Sequence, residues 1–237
     1  KMKNLIFSFL WTLSATAMAQ TPTVHSVGSM SNMGKENFAP HINLDTVATK
    51  THFFGMGPLG RMQGEITVLN GKPFGASVNE KGEGIVQENW AIEAPFFVYA
   101  NVAKWKKYPF NAKINNLDDL QKTVAQIARQ NGFDMQQPFP FRLEGNIATL
   151  TTHIVMPRSP EIAGYQATKK QADYDLVNQK GELLGFYSEK HQGIYTHKDS
   201  FIHVHFVSKD RKTMGHVDKI NDENSKMTLY LPVKVKP

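Results

Sequence analysis

The order of apolar and polar positions along the chain predicts a strand-dominated protein with one clear helix. Apolar and polar residues alternate in several short runs, as in strands that bury one face. The predicted strands are 64–69, 73–78, 84–87, 95–102, 139–144, 146–155 and 181–187, with Asn70-Gly71 as the hairpin turn between the first two. After Asn116 the spacing becomes helical, with Leu117, Leu120, Val124, Ile127 and Ala128 on one stripe. Asn116 and Gly132 are suitable caps for this helix.

Three segments have less regular patterns. Asn43 is a suitable cap for a short helix that would reach Lys50. Residues 55–60 are rich in glycine and are predicted as a loop, because glycine tolerates unusual backbone angles. Residues 157–178 are polar and irregular, and we expect a loop with a possible helix that covers a site.

The segment 201–208 predicts a further strand with chemistry on one face. Its apolar residues Ile202, Val204 and Phe206 would face a core, and His203 and His205 would share the opposite face. The polar run 209–215 predicts a hairpin connection, which would place His216 at the start of the return strand.

Three imidazoles on one hairpin would converge on a common point. Three protein nitrogens with an open position are typical of a catalytic metal site. A His-x-His pair also arises by chance, so the interpretation of His203 and His205 as ordinary strand residues stays open on the pattern alone. His216 after a plausible turn favours the metal. A cupin is a rival interpretation, but cupins commonly have a glutamate about four residues after such a pair, where this chain has Lys209.

Glu65 is a second candidate, because it lies in a predicted strand whose Ile66 and Val68 would occupy the opposite face. It is either a solvated surface residue, which the pattern favours, or an acid close to the metal. The other histidines give weaker signals. We expect His153 on the polar face of its strand, His191 and His197 in a loop near the site, and His25 and His41 on the surface.

The N-terminal composition predicts export. Residues 1–19 combine Lys1 and Lys3, a short apolar stretch and a small-x-small cleavage site, as in a secretory signal peptide. We expect a flexible leader over 20–42 and one domain over 43–237, divided into 43–135 and 136–237. The mature protein would be periplasmic or secreted and would have no membrane segment. A net charge of +6 without clustered basic residues gives no signature of nucleic-acid binding.

Several motifs in order resemble the α-acetolactate decarboxylase family over about 52–231. They are 55–57, 64–71 (GEITVLNG), 94–98 (APFFV), 142–145 (RLEG), 156–158 (MPR), 181–186 (GELLGF), 203–206 (HVHF), 210–211 (DR) and 215–217 (GHV). Each is weak alone, but their order and spacing are specific.

The resemblance implies a homodimer that converts 2-acetolactate, a 2-hydroxy-3-oxo acid, to acetoin and carbon dioxide. His203, His205 and His216 would bind Zn²⁺ as the electron sink for an enolate, with no organic cofactor, although such a triad also suits other divalent ions. Glu65 would lie beside the metal as a general acid or further ligand. The implied fold is α+β and strand-dominated, with an N-terminal mixed sheet and a C-terminal β-barrel-like part that carries the metal.

Two positions depart from the family pattern. Where the family has an active-site arginine for the substrate carboxylate, this sequence has His153, and Arg142 or Arg158 are possible substitutes. The family's C-terminal tail carries a second glutamate, which we expect to be absent here. The alternatives are therefore a different metal-assisted lyase or hydrolase reaction on another small oxygenated acid, or a non-enzymatic relative that binds a ligand or partner.

Overall fold

The computed structural model describes residues 21–35 and 38–234. The α-helix in these residues is α1 (Leu117–Gln130). The strands are β1 (His25–Gly28), β2 (Ile42–Asn43), β3 (Phe53–Leu59), β4 (Gly64–Leu69), β5 (Lys72–Val78), β6 (Gly84–Glu88), β7 (Glu93–Ala94), β8 (Phe96–Asn101), β9 (Trp105–Ile114), β10 (Phe139–Val155), β11 (Gln171–Tyr187), β12 (Ile202–Ser208) and β13 (Met214–Pro232). The predicted signal peptide lies outside the described residues. Within them, no helix combines the length and apolar composition needed to cross a membrane.

The N-terminal part is a six-stranded sheet in the order β1-β8-β3-β4-β5-β6. Its neighbouring strands all pair antiparallel, which differs from the expected mixed sheet, because hairpins join β3 to β6 in series. The predicted Asn70-Gly71 turn is confirmed. Both residues have positive φ (50° and 79°), as a two-residue hairpin turn requires.

Residues 55–59 belong to the buried strand β3, so the predicted loop at 55–60 is wrong there. Glycines occur in this strand because neighbouring rings leave no space for a side chain. A Cβ on Gly55 would lie 2.5 Å from the ring of Phe97, and one on Gly57 would lie 2.3 Å from the backbone oxygen of Phe96. The glycine signal therefore reflects close packing rather than an irregular backbone.

The C-terminal part is a ring of long antiparallel strands. β10 pairs with both β11 and β13, and β12 pairs with both as well, so the four strands close on themselves. β9 extends the sheet beyond β13. Together the two sheets and α1 confirm the strand-dominated, two-part α+β fold.

Two of the C-terminal predictions need correction. The predicted strands 139–144 and 146–155 are one strand, because Gly145 continues the ladder and packs closely on Met227. Residues 171–178, predicted as part of a loop, are the first half of β11, because β10 pairs along its whole length. The irregular segment is therefore shorter than expected.

Three apolar cores hold these layers together. The ring core lies between the ring and α1 and includes Phe110, Leu120, Val124, Phe141, Val204 and Phe206. The inter-sheet core lies between the two sheets and includes Phe54, Met56, Phe74, Leu184, Val207 and Met214. The outer core covers the other face of the N-terminal sheet and includes Leu44, Phe53, Ile66, Val68 and Phe97. The face of β12 that carries the histidines therefore points towards the N-terminal sheet.

The predicted helix is confirmed with its caps. The side chain of Asn116 accepts a hydrogen bond from the backbone N–H of Asp119 (2.9 Å), and Gly132 has a φ of 73° after the last turn. The helix predicted from Asn43 is only a short 3₁₀ turn (Leu44–Thr46), because Val47 is already extended.

The N-terminal segment differs from the flexible leader predicted over 20–42. β1 adds to the edge of the sheet by pairing with β8, and His25 stacks on Tyr99 at a ring distance of 5.2 Å. Residues Met30–Lys35 then form a 3₁₀ helix. Pairing with β8 orders a segment whose own composition lacks periodicity.

An ion-pair network around the buried carboxylate of Glu182 joins the two sheets near the histidine hairpin. Glu182 accepts hydrogen bonds from Arg142 (2.6 and 3.0 Å) and pairs with Arg211 (2.7 Å) in the β12–β13 turn. The guanidinium of Arg142 lies over the ring of Phe54, and that of Arg211 lies over Phe74, at 5.6 Å in both cases. The network therefore connects the hairpin to the N-terminal sheet.

We expect Glu182→Gln to lower the free energy of unfolding by about 2 kcal/mol, because it leaves the partly buried guanidinium of Arg142 without its carboxylate. Urea unfolding measures this change. Glu223→Gln is the matched control, because the Glu223–Lys113 pair is exposed and should contribute at most about 1 kcal/mol. Equal effects of the two substitutions would contradict the importance of the network.

Candidate metal centre

The predicted histidine hairpin is confirmed. β12 and β13 are joined by a short polar turn, and His205 and His216 are paired across the ladder. His203, His205 and His216 are buried, with 3%, 0% and 5% of their surface exposed. Ile202, Val204 and Phe206 lie on the opposite face in the ring core, as alternation requires.

The three imidazoles converge as a metal site requires. One ligand atom from each lies within 4.8 Å of the others. The Nε2 atoms of His203 and His205 are 3.2 Å apart, and the ring of His216 is centred 4.9 Å from His203 and 5.5 Å from His205. Ligand nitrogens lie about 2.0–2.1 Å from a bound Zn²⁺, so a single ion fits between them with small side-chain shifts.

Burial keeps these histidines neutral. Burial, reinforced by the charge of His153, lowers the pKa of His205 to about 3. Burial also holds the pKa values of His203 and His216 well below the usual range, with further lowering from neighbouring histidines. A neutral imidazole has a free lone pair on one nitrogen. The donor set therefore fits a divalent cation.

Thr67 on β4 orients one of the imidazoles. Its Oγ1 lies 2.9 Å from Nδ1 of His205, and both side chains are fully buried. When Nδ1–H donates to the hydroxyl, the lone pair of Nε2 is left to face the other histidines. The N-terminal sheet therefore contributes directly to the geometry of the cluster.

Glu65 also reaches the cluster from β4, so the solvated interpretation that its pattern favoured is wrong. It is 4% exposed, and one carboxylate oxygen lies 3.7 Å from Nε2 of His205. The other oxygen accepts a hydrogen bond from the backbone N–H of Val155 and lies 3.7 Å from Nε2 of His153. The inter-sheet face of β4 is covered, and burial raises the pKa of Glu65 to about 7.

His153 lies beside Glu65 and is held by a second carboxylate. Its Nδ1 is 2.7 Å from Oδ2 of Asp218, and its ring is centred 4.7 Å from that of His216. Burial lowers the pKa of His153, but the hydrogen bond to Asp218 and the charges of Glu65 and Asp218 outweigh it, so the net pKa is raised. A positive charge on His153 is therefore favoured.

The expectation that the loop before the hairpin lies near the site is confirmed for His197. Its Nε2 is 3.0 Å from Nε2 of His216, and burial lowers its pKa. His191, the other loop histidine, instead bonds Ser188 and stacks on Tyr195. Of the two, only His197 contacts the candidate ligands.

Arg142 is engaged elsewhere. Its guanidinium bonds Glu182 and lies over the rings of Trp105 and Tyr230, and its described contacts include none with the histidines. A catalytic role for Arg142 therefore stays a prediction, and its observed contacts support the inter-sheet network. The alternative, Arg158, has a buried Nη1 without a hydrogen-bond partner among the described residues.

Thr67 and Asp218 are the site residues that the sequence did not identify. Alternation places Thr67 on the same face as Glu65, but it does not show what covers that face. The position of Asp218 depends on the register between β10 and β13. A cavity of about 420 Å³ leads from solvent to this region, with His197, His216 and Asp218 among its lining residues. The edge of the site at His216 and Asp218 therefore faces this cavity.

We expect the metal-free protein to lose stability as the pH falls from about 6.5 towards 4.5. The histidines of the unfolded chain take up protons near a pKa of 6.5, but His203, His205 and His216 cannot do so while folded. Glu65 acts in the opposite direction between about pH 7 and pH 4.5. Its pKa is about 7 in the folded chain and 4.5 in the unfolded chain, so its protonation stabilises the folded chain as the pH falls. The three histidines outweigh it, each contributing up to about 1.4 kcal/mol per pH unit. Urea unfolding at several pH values tests this, and a stability that rises over that interval would contradict it.

The comparisons with known proteins agree on one family. The sequence profile of the family described as alpha-acetolactate decarboxylase matches residues 24–234. An alpha-acetolactate decarboxylase of Brevibacillus brevis is 21% identical over 179 residues, which are 74% of this chain and 58% of the relative. One of Bacillus subtilis strain 168 is 22% identical over 166 residues, or 69% of this chain and 61% of the relative. The chain thus spans about three fifths of the length of these curated relatives.

Solved structures show the same fold. The crystal structure of alpha-acetolactate decarboxylase from Bacillus subtilis strain 168 has a TM-score of 0.70 at 19% identity, covering 90% of this chain and 86% of the other. A Staphylococcus aureus protein of unknown function, similar to alpha-acetolactate decarboxylase, has a TM-score of 0.66 at 17% identity, with 90% and 86% covered. The match over almost the whole described chain identifies this protein as a member of the alpha-acetolactate decarboxylase family.

Proposed function

We propose that this chain is a metal-dependent decarboxylase that converts 2-acetolactate to acetoin and carbon dioxide. The observation that carries the proposal is the convergence of three buried, neutral imidazoles beside a buried carboxyl group, in a chain of this family. The histidines supply ligands, and the carboxyl group supplies a proton donor with a pKa near neutrality.

His203, His205 and His216 would hold the ion, for which Zn²⁺ is our first candidate. When bound, such an ion supplies Lewis-acid polarisation of substrate oxygens. Thr67 keeps Nε2 of His205 directed at it. All three rings are buried, and His216 lines the cavity through which a substrate would approach.

Glu65 is the proposed general acid. Loss of carbon dioxide must be followed by delivery of a proton to the carbon that carried the carboxylate. In the metal-free chain, burial raises the pKa of Glu65 to about 7, which favours a protonated carboxyl group there. The hydrogen bond from Val155 N–H fixes the carboxyl group, so the proton would come from a defined side.

His153 is the proposed partner of the substrate carboxylate. With Nδ1 bound to Asp218, a protonated His153 presents Nε2–H towards the region of Glu65. Its Nε2–H is a single hydrogen-bond donor, whereas the guanidinium of an arginine can donate two parallel hydrogen bonds to a carboxylate. This difference also supports the second candidate function, a metal-assisted reaction on another small oxygenated acid.

The test is acetoin formation from racemic 2-acetolactate by zinc-reconstituted protein, measured above the spontaneous rate with His203→Ala as the blank. Rapid release that is lost in the variant would support the proposal. No release from protein with one bound metal per chain would contradict it and favour the second candidate. Export and a homodimer remain predictions, which fractionation and size-exclusion chromatography can test.

A further inference from the structure

A second group of metal-binding side chains adjoins the triad. Ligand atoms of His153, His216 and Asp218 lie within 4.8 Å of one another. Two imidazoles and one carboxylate are a recurrent donor set for divalent transition metals. His216 belongs to both groups, so the second group extends from the triad towards the ring strand β10.

An irregularity in the strand pairing builds this group. Thr151 pairs with Lys219 and Thr152 pairs with Val217, which leaves Asp218 as an extra residue in β13. Such bulges redirect a side chain and are frequent near functional sites. Here the carboxylate of Asp218 lies 2.7 Å from Nδ1 of His153 and 4.0 Å from Nε2 of His216.

The charge of Asp218 is not balanced by a lysine or an arginine. Its ion pairs in the described parts of the chain are with His153 and His216 alone. Both Asp218 and His216 line the cavity of about 420 Å³, so a hydrated cation has access to them. A bound cation would take the place of the proton that His153 shares with Asp218, and the carboxylate of Asp218, the neutral imidazole of His216 and the open approach favour this exchange.

We infer that His153, His216 and Asp218 form a second position for a divalent cation, which binds an ion without His203 or His205. The inference rests on the metal centre of the proposed function. An ion held there would draw His216 away from the triad and His153 away from the substrate carboxylate. The two positions are therefore alternatives, and the second one is unproductive for decarboxylation.

The test is a titration of metal-free protein with Co²⁺, in which calorimetry and visible absorption measure the binding. The variant with His203→Ala and His205→Ala lacks two triad ligands and is expected to bind one Co²⁺ per chain, more weakly than the wild type. Adding Asp218→Asn is expected to remove this residual binding. His216→Ala alone should weaken binding more than His203→Ala alone, because it removes a ligand from both positions, and His191→Ala is the neutral control.

Absence of Co²⁺ binding by the folded double variant, or residual binding that persists after Asp218→Asn, would overturn the inference. If circular dichroism shows that the double variant does not fold, His203→Gln replaces it. In that background, Asp218→Asn should weaken Co²⁺ binding at least about tenfold, and an unchanged affinity would overturn the inference. A wild-type protein that binds no Co²⁺ would contradict the metal centre itself, so the two failures are distinguishable.

Discussion

Replacing His205 by alanine is expected to reduce acetoin formation to the spontaneous rate. His205 is fully buried, its Nε2 lies 3.2 Å from that of His203, and Thr67 holds its other nitrogen. Alanine removes a ligand and leaves the hydroxyl of Thr67 without its partner. Loss of residues that only support a ligand costs about 10–100-fold in metal affinity, so we expect loss of the ligand itself to cost more than 100-fold.

The measurement combines metal content after dialysis with acetoin formation. His191→Ala is the matched control, because His191 lies in the preceding loop and bonds Ser188 rather than the cluster. Wild-type activity in His205→Ala, or an equal loss in both variants with both proteins folded, would contradict the assignment of His205 as a ligand.

The second large effect is expected for Glu65→Gln. Glutamine keeps the shape of the side chain and its contact with Val155, but it cannot deliver the proton that the reaction requires. We expect kcat to fall by about 10²–10⁴-fold, the range typical of a lost general acid. Metal content should stay close to one ion per chain, because the three histidines are intact.

The test measures kcat by steady-state kinetics and the metal content of the same protein samples. Glu88→Gln in the exposed strand β6 is the control and should leave kcat unchanged. A Glu65→Gln variant that retains kcat would exclude Glu65 as the acid. A variant that loses its metal together with its activity would instead assign Glu65 as a further ligand.

The convergence of the three histidines was predictable from the sequence because its geometry is local. Alternation along one strand puts His203 and His205 on the same face, and a short polar turn returns His216 beside them. The helix at 117–130 was predictable for a similar reason, since its stripe and its cap at Asn116 need no distant partner. Local pattern was sufficient wherever the relevant residues belong to one strand, one hairpin or one helix.

The remainder of the site depends on how the two sheets pack. Glu65 and Thr67 reach the histidines only because β4 packs against the ring, and the pattern of β4 is the same whether that face is solvated or covered. The extra residue at Asp218 follows from the register between β10 and β13, which involves residues more than 60 positions apart. Alternation within a strand carries no information about either contact.

The same limit explains the errors in the fold. Glycines at 55 and 57 indicated a loop, but they accommodate rings and backbone of the neighbouring strand β8. Gly145 indicated a break between two strands, but it permits close packing on Met227 within one. A glycine required by a neighbour and a glycine required by a turn look identical in a single sequence.

The most direct test of the metal centre is anomalous diffraction at the zinc absorption edge from crystals of the zinc-reconstituted protein. We predict one peak at full occupancy about 2.0–2.1 Å from a ring nitrogen of each of His203, His205 and His216. The carboxylate of Glu65 should lie beside it. A structure with these histidines in place and without a peak among them would contradict the account.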